Sequence, residues 1–261
     1  MRQPWTVLLS LALAGSAAGN ERHFTYAYES AVLPPGVREL EVWTTAGLGN
    51  NGYSARFDER MEYEVGLTER LQTSLYLNFS GYSLRDGNGF NEGMVWRGVS
   101  SEWKYKLSDS VADPLGVALY GELLGAPHEL ELEAKLILDK RVGDWLFAAN
   151  LVLENDYEYF PGASRFELKP KLDLGATYFV THGFSAGVEL ESASVYPVGK
   201  PVEFSALFAG PVVSYARAGY WVALSVLPQL PAFKTPAGSA TPYVLTDYNR
   251  LYARLLFSFQ L

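Results

Sequence analysis

The sequence predicts an all-β protein, a single transmembrane antiparallel up-and-down β-barrel of about 12 strands. Three observations predict it: apolar and polar residues alternate along many segments, long and short links alternate between those segments, and aromatic residues gather beside the short links. Side chains two positions apart share a face of a strand, so the alternation gives each strand one apolar and one polar face. In a membrane barrel the apolar face meets lipid and the polar face lines the interior.

The N-terminus has the three-part layout of a secretory signal peptide. The positively charged "MRQPW" is followed by the apolar run "TVLLSLALAG" and then by small residues. That run is about half of the roughly 20 residues that a spanning helix needs, which disfavours a membrane anchor. We expect a signal peptide over 1–19, a periplasmic N-terminal segment over 20–36 and the barrel over 37–261. The residues leave open whether 20–36 is a periplasmic tail or a partial plug of the lumen.

The segment "ELELEAKLILD" (129–139) shows the alternation most clearly. Its residue types favour a helix, but in a helix its four leucines would not share one face. In a strand they lie on one face and the charged residues lie on the other. The same rule predicts strands near 37–45, 57–67, 71–80, 94–107, 115–124, 129–139, 145–154, 165–179, 184–192, 203–215, 220–227 and 249–261. The segments 203–215 and 220–227 are apolar on both faces, so the alternation defines them least.

The links between these strands alternate in length. Odd-numbered strands are followed by long links such as "SGYSLRDGNGFNEG", except for "GAPH", and even-numbered strands by short ones such as "THG". Outer-membrane barrels have short turns at the periplasm and long loops outside. The Pro-rich link 228–248 is long enough to fold over the outer mouth.

Aromatic residues on the apolar face predict a girdle at one membrane–water boundary. Those beside the short links or the C-terminus are Trp103, Tyr105, Trp145, Phe147, Tyr178, Phe184, Tyr220, Phe257 and Phe259. A thinner second girdle is predicted from Phe57, Phe79, Phe166 and Phe204. A secreted two-layer sandwich would show a similar alternation, but it has no reason to gather aromatic residues at one end.

Three stretches resemble outer-membrane barrels of Gram-negative bacteria, among them the porin-like transporters grouped with the meta-pathway of phenol degradation. They are "LPPGVRELEVWTT" (33–45), "GLTERLQTSLYLNF" (66–79) and the ending "LYARLLFSFQL" (251–261). The resemblance implies a barrel in the cell outer membrane whose last strand is offered to the barrel-assembly machinery. Leu261 departs from the family, in which the last residue is usually Phe. The resemblance brings no catalytic residues.

The composition argues against several partners and cofactors. The formal net charge is −8, whereas nucleic acid requires a basic surface, so no nucleic-acid partner is expected. The chain has no Cys and only three His, and it lacks an Asp-x-Asp-x-Asp-Gly loop, so we expect no cofactor and no metal. "RDGNGFNEG" (85–93) combines oxygen ligands with Gly, but its loose spacing favours an exposed loop over a weak calcium site.

The polar faces of the strands carry more acidic than basic side chains. The lumen-lining candidates are Glu62, Glu64, Arg60, Glu102, Lys104, Glu131, Glu133, Lys135, Glu167, Lys169, Lys171, Asp173, Glu189, Glu191, Arg250 and Arg254. One interpretation is an interior whose charges pair with one another. The other is a water-filled path in which the acidic excess favours cations. A twelve-stranded barrel lies between filled eight-stranded and open sixteen-stranded barrels, so we expect a narrow or partly plugged pore.

These features predict an outer-membrane channel or porin-like transporter for a small polar solute, surrounded by outer-membrane lipid and without enzymatic activity. One alternative is a structural or adhesive barrel with a closed lumen. A second alternative is an outer-membrane hydrolase, which needs a base beside a nucleophile. Only His128 lies at the predicted outer rim, and no Ser stands at an i,i+2 position from it.

Overall fold

The computed structural model describes residues 21–49, 54–86, 89–160 and 163–261, and in these ranges twelve antiparallel strands form one closed barrel. The predicted signal peptide over 1–19 lies outside the described residues. Each strand pairs with its neighbours in sequence, and β12 pairs back with β1. Among the described residues no helix is long and apolar enough to cross a bilayer.

All twelve predicted strands form, so the predicted fold class is confirmed. They are β1 (Arg38–Leu48), β2 (Ser54–Thr68), β3 (Leu71–Asp86), β4 (Gly89–Ser108), β5 (Gly116–Ala126), β6 (Glu129–Val142), β7 (Trp145–Phe160), β8 (Ala163–Thr181), β9 (Phe184–Pro197), β10 (Phe204–Arg217), β11 (Tyr220–Lys234) and β12 (Leu251–Gln260). We call the end with the links after even-numbered strands the short-turn end, and the opposite end the long-loop end.

Several strands continue further toward the long-loop end than the sequence predicts. Most of the predicted loop 80–93 is a paired hairpin of β3 and β4. This hairpin includes much of 85–93, the segment considered above as a weak calcium site. β7 and β8 likewise pair as far as Phe160 and Ala163, and β11 takes up the first part of 228–248. The prediction was too short there because apolar alternation fades where strands leave the apolar layer, whereas backbone pairing continues.

The pairing of β1 with β12 closes the barrel. It runs in continuous register from Glu39 opposite Gln260 to Leu48 opposite Leu251. Closure gives every strand two hydrogen-bonded neighbours, so the described sheet has no free edge that would need water or another chain.

The two faces of the barrel differ as the alternation predicts. Large apolar side chains are exposed on the outside, among them eight of the nine predicted girdle aromatics, Phe259 being half-buried. Phe57 and Phe166 of the second girdle are also exposed. The assignment of Phe204 to this girdle was wrong, because Phe204 is 2% exposed and packs inside with Phe208 and Leu227. Both faces of β10 are apolar, so alternation could not tell its inner from its outer face.

Candidate functional site: a plugged, charge-lined lumen

Residues 21–33, which we call the lumenal segment, lie inside the barrel. Phe24, Thr25, Ala27 and Leu33 are at most 1% exposed. Phe24 and Ala27 pack against Leu146 of β7 and other buried residues of the inner wall. Of the two positions that the sequence left open for this part of the chain, the structure shows the one inside the lumen.

A buried carboxylate on β9 holds the middle of the lumenal segment. Glu189 Oε1 accepts the backbone N–H groups of Thr25, Tyr26 and Ala27 at 2.9, 2.8 and 3.1 Å. The Thr25 hydroxyl donates to Glu189 Oε2 at 2.9 Å. A short polar segment without secondary structure thereby has its backbone donors satisfied away from bulk water.

Two amide side chains hold the rest of the segment. Asn150 on β7 accepts from Tyr28 N at 2.6 Å and donates to Tyr28 O at 3.0 Å. Gln72 on β3 accepts from Leu33 N at 2.9 Å. Since β3 and β9 are six strands apart in a twelve-stranded barrel, they form opposite walls. The lumenal segment therefore crosses the lumen from wall to wall.

Glycines on the inner face make room for this crossing. A Cβ at Gly175 would lie 2.6 Å from the ring of Phe24, and one at Gly66 would collide with the backbone of Leu33 and Pro34. A Cβ at Gly116 would likewise collide with the side chains of Ser30 and Asp139. The wall beside the lumenal segment is thus shaped to fit it.

An ion pair within the segment joins His23 to Glu29. His23 Nδ1 lies 3.1 Å from Glu29 Oε2, and His23 N donates to Glu29 Oε1 at 2.8 Å. Burial disfavours both charged forms, but each charge stabilises the other. The net effect raises the pKa of His23 and lowers the pKa of Glu29 from their ordinary values.

Beyond the lumenal segment, toward the long-loop end, the lumen contains a cavity of about 250 Å³. Its walls are the aromatic side chains of Tyr26, Tyr28 and Trp43 together with Thr45 and charged groups. The charged residues are Asp58, Arg60, Glu122, Glu131, Glu133, Lys135, Glu154, Lys171, Asp173, Glu191 and Arg254. The side chains of Arg60 and Lys171 keep about a quarter of their surface exposed, so water reaches them.

Ion pairs order the charges of this cavity. Lys171 pairs with Glu154, Arg60 with Glu122, and Lys135 Nζ lies 2.8 Å from Glu133. The cations also contact rings: Arg254 lies 3.6 Å from the ring centroid of Tyr26, and Lys135 lies 4.0 Å from that of Tyr28. The cavity is therefore polar, and at one end it is bounded by aromatic rings, two of which, Tyr26 and Tyr28, belong to the lumenal segment.

The sixteen candidate residues fall into separate groups. Eight of them line the cavity: Arg60, Glu131, Glu133, Lys135, Lys171, Asp173, Glu191 and Arg254. Glu62, Glu64, Glu102 and Lys104 are buried nearer the short-turn end, and Glu189 binds the lumenal segment. Glu167 pairs with Arg165, and Lys169 with Glu154 and Asp156. Arg250 donates to Gln229 O and covers the ring of Tyr243. Contact of any of them with a solute stays a prediction.

The link between β11 and β12 folds inward at the long-loop end. Val244 is fully buried, and its N–H donates to Gln229 Oε1 at 2.7 Å. Tyr248 makes edge contacts with Phe204 and Phe208. One side of the lumen, along β9 to β11, is therefore filled by an apolar cluster, and the charged cavity occupies the remainder.

The model of a protein family, described as a family of unknown function (DUF6662), matches residues 16–253. The chain belongs to this family. No curated protein matches the chain significantly.

Solved structures share the fold of this DUF6662 chain. The COG4313 outer membrane channel from Pseudomonas putida F1 is 12% identical, with a TM-score of 0.60 over 91% of this chain and 100% of the channel. The NanC porin is 13% identical, with a TM-score of 0.55 over 85% and 100%. The beta domain of the Bordetella autotransporter BrkA is 11% identical, with a TM-score of 0.52 over 87% and 100%. The DUF6662 chain thus has the barrel fold that these outer-membrane proteins share.

Sequence reasoning missed several polar residues of the DUF6662 lumen. Glu122 pairs with Arg60 and accepts from Tyr120 at 2.6 Å, and it follows Gly116, Ala118 and Tyr120 on the same face of β5. Counting that face onward would have found it. Nothing in the sequence pattern distinguishes Asn150 and Gln72 as partners of the lumenal segment, because their role depends on a contact made across the barrel.

His128 of the DUF6662 barrel contacts aromatic rings. Its ring centroid lies 6.0 Å from that of Tyr159 and 5.4 Å from that of Phe160, at the long-loop end. A hydrolytic base is oriented by a hydrogen-bonding partner beside a nucleophile, and these ring contacts supply neither.

Proposed function

We propose that this protein is an outer-membrane channel for small polar solutes that prefers cations, with the lumenal segment narrowing its path. The charged cavity of about 250 Å³ beside that segment carries the proposal. A barrel with a purely structural role has no need of a polar cavity of this size lined by so many ionisable side chains.

The outer face supports a position in a membrane. Leucines, valines and aromatic residues are exposed around the barrel, among them Leu75, Leu132 and Leu151. Soluble proteins rarely expose large continuous apolar surfaces. Hydrocarbon is the solvent that suits such a face, and closure of the sheet satisfies the backbone there. The predicted export signal and the shared fold make the outer membrane the proposed location.

The charge of the interior supports a preference for cations. At the short-turn end the carboxylates of Glu39, Glu41, Glu62, Glu64 and Glu102 are all buried; we call them the acidic cluster. A lumen lined by an excess of one sign raises the local concentration of the opposite ion. A cation crossing the barrel would pass the charged cavity and then this cluster.

Current through the purified full-length mature protein in planar bilayers tests the proposal. We expect a small conductance whose reversal potential in a KCl gradient indicates preference for potassium over chloride. Deletion of residues 21–33 should raise the conductance, because the deleted residues cross the lumen. A preference for chloride would contradict the charge argument. No current from either protein, both folded, would overturn the channel.

The filled parts of the lumen favour a second candidate, a structural or adhesive barrel that acts through its outer loops. The lumenal segment crosses one end, and Val244 and Tyr248 fill one side of the other. A folded deletion variant that stays silent in the bilayer would support this candidate. An enzymatic role would instead require turnover of lipid or peptide that H128A abolishes.

The proposed partners follow from the same architecture. Outer-membrane lipid would contact the apolar face, and a small polar solute would occupy the charged cavity. The barrel-assembly machinery would recognise β12, which carries Leu255 and Phe257 on its exposed face. Replacing these two residues by Ser should lower the amount of folded barrel in the membrane fraction if that recognition occurs.

A further inference from the structure

The acidic cluster contains two overlapping triads of carboxylates. One oxygen from each of Glu62, Glu64 and Glu102 lies within 4.8 Å of the others, and the same holds for Glu39, Glu41 and Glu64. Glu64 belongs to both triads. Like charges at this separation in a buried site repel one another strongly unless a cation or protons compensate them.

Three buried oxygens on β2, β3 and β4 have no hydrogen-bond partner in the described part of the chain. Gln72 donates to Glu64 Oε1, and Tyr76 donates to Glu102 Oε2, but the second oxygen of each carboxylate is unpartnered. Ser74 Oγ is the third such atom, in a side chain that is 1% exposed. Ser74 stands opposite Glu64 on one side and opposite Glu102 on the other, so its hydroxyl lies in the row between them. Buried polar atoms are seldom left unpaired, and these three point to a missing partner.

The nearby cations do not supply that partner. Arg22 of the lumenal segment lies over the rings of Tyr28 and Trp43, at 4.0 and 4.7 Å from their centroids, and Lys104 is the other buried cation. Neither comes within 4.0 Å of a carboxylate oxygen in the described part of the chain. These two cations face the five carboxylates of the acidic cluster, which leaves a negative excess.

A small cavity of about 10 Å³ adjoins these groups. Glu62 and Glu64 line it together with Glu41, Arg22 and Lys104, whereas Glu102 and Ser74 do not. That volume holds about one atom of the size of a water oxygen. A third triad at the long-loop end, of Glu129, Glu131 and Asp156, differs in its surroundings. There Arg97 pairs with Glu129 and Lys169 pairs with Asp156, so side chains already compensate the charge.

We propose that Glu62, Glu64, Glu102 and Ser74 form a binding site for a calcium ion inside the wall of the barrel. Carboxylate and hydroxyl oxygens are ligands for hard cations, and carboxylates bind calcium through one or both oxygens. Magnesium gives up its water reluctantly and usually keeps several water ligands. The adjoining cavity has room for about one atom and none for such a water shell, so the site favours calcium over magnesium. The ion would join β2, β3 and β4 beside the lumenal segment and lower the repulsion within the acidic cluster.

Calcium binding to the folded full-length mature protein in detergent micelles tests this site. After treatment with a chelator, calcium chloride should raise the unfolding temperature and bind with measurable heat, and magnesium chloride should do so less. E64Q and E102Q should weaken calcium binding by about tenfold or more, because ligand charge sets affinity in such sites. In chelator, E64Q should unfold at or above the temperature of the wild type, since it removes one of several repelling charges. If Glu64 only supported the fold, E64Q in chelator should instead unfold at a lower temperature than the wild type.

The matched control is E167Q, which neutralises a buried inner carboxylate that pairs with Arg165 outside the cluster. It should bind calcium as the wild type does. If E64Q does not fold, S74A keeps every charge and should still weaken binding. The proposal is overturned if calcium leaves the wild-type unfolding temperature unchanged, or if S74A, E64Q and E167Q all respond to calcium as the wild type does. Protons would then be what compensates the cluster.

Discussion

At the scale of single residues, the lumen uses some charges for architecture rather than for solute. Glu189 was predicted to line the lumen, yet its two oxygens accept three backbone N–H groups and one hydroxyl from the lumenal segment. A carboxylate that accepts several backbone donors is a strong attachment, because charged acceptors form the stronger hydrogen bonds. The position of the lumenal segment should therefore depend on this side chain.

Replacing Glu189 by Ala should release the lumenal segment. Four donors lose their acceptor, and we expect a loss of stability of about 3 kcal/mol in urea unfolding followed by tryptophan fluorescence. The conductance should rise toward that of the deletion of 21–33, and trypsin should cleave after Arg22, which is buried in the wild type. E189Q keeps one acceptor oxygen and should fall between the two. Wild-type conductance in E189A would contradict this role. The control is E167Q, which changes a carboxylate paired with Arg165 and should keep the conductance of the wild type.

The His23–Glu29 pair predicts how docking of the lumenal segment depends on pH. The raised pKa of His23 means that its contribution is fully present below its unfolded pKa of about 6.5 and is lost as the pH rises through the higher folded value. The lowered pKa of Glu29 means that its contribution is present above about 4.5 and is lost as the pH falls through the lower folded value. Glu21 supports the charge on His23, and Arg141 opposes it.

Docking should therefore be strongest at mildly acidic pH and weaken in more alkaline solution. Conductance measured across this range should increase with pH in the wild type and not in H23Q. The control is H182Q, which changes the exposed His of a short turn and should keep the pH dependence of the wild type. The same pH dependence in H23Q would exclude the pair as its source.

At the scale of elements, alternation predicted strands well and side-chain roles less well. In β6 the leucines such as Leu130 and Leu132 lie on the outer face and the charged residues lie on the inner face, so alternation was sufficient to predict this strand. β10 also forms as predicted, but Phe204 faces inward and packs in the apolar cluster. Apolar residues that fill the lumen give the same alternation as apolar residues that face lipid, so the sequence pattern could not distinguish the two faces of β10. The lumenal segment has no periodicity, since it is held by contacts with distant strands. No local pattern encodes such contacts.

The fit between β8 and the lumenal segment gives a prediction at this scale. Valine at Gly175 would occupy the place of the Phe24 ring, so G175V should displace the segment, raise the conductance and expose Arg22 to trypsin. G121V is the control on the outer face of β5, where the nearest atom to a Cβ at Gly121 is 3.9 Å away. Valine there should leave the conductance unchanged. Equal behaviour of the two variants would show that the glycines do not shape the lumen around the segment.

At the scale of the whole molecule, the barrel is apolar outside and charged inside, the reverse of a soluble barrel. This inversion is why the alternation predicted a membrane fold. It also means that the inner and outer faces have different requirements of their surroundings. The interior carboxylates keep their charge only with water, ion pairs or bound cations nearby. The outer leucines require a solvent without hydrogen-bonding groups.

The apolar exterior predicts a cost of charge that depends on depth. Leu151 lies midway along β7 opposite Leu136 and Leu172, whereas Val142 lies at the short-turn end of β6, and both are exposed. In a barrel that spans a bilayer, arginine costs about 2–4 kcal/mol near the midplane and about 0–1 kcal/mol near an interface. The free energy of folding into phospholipid bilayers should therefore fall by about that larger amount for L151R and change little for V142R. A barrel in water would tolerate arginine equally at the two positions, so equal costs would contradict the membrane orientation on which the channel proposal depends.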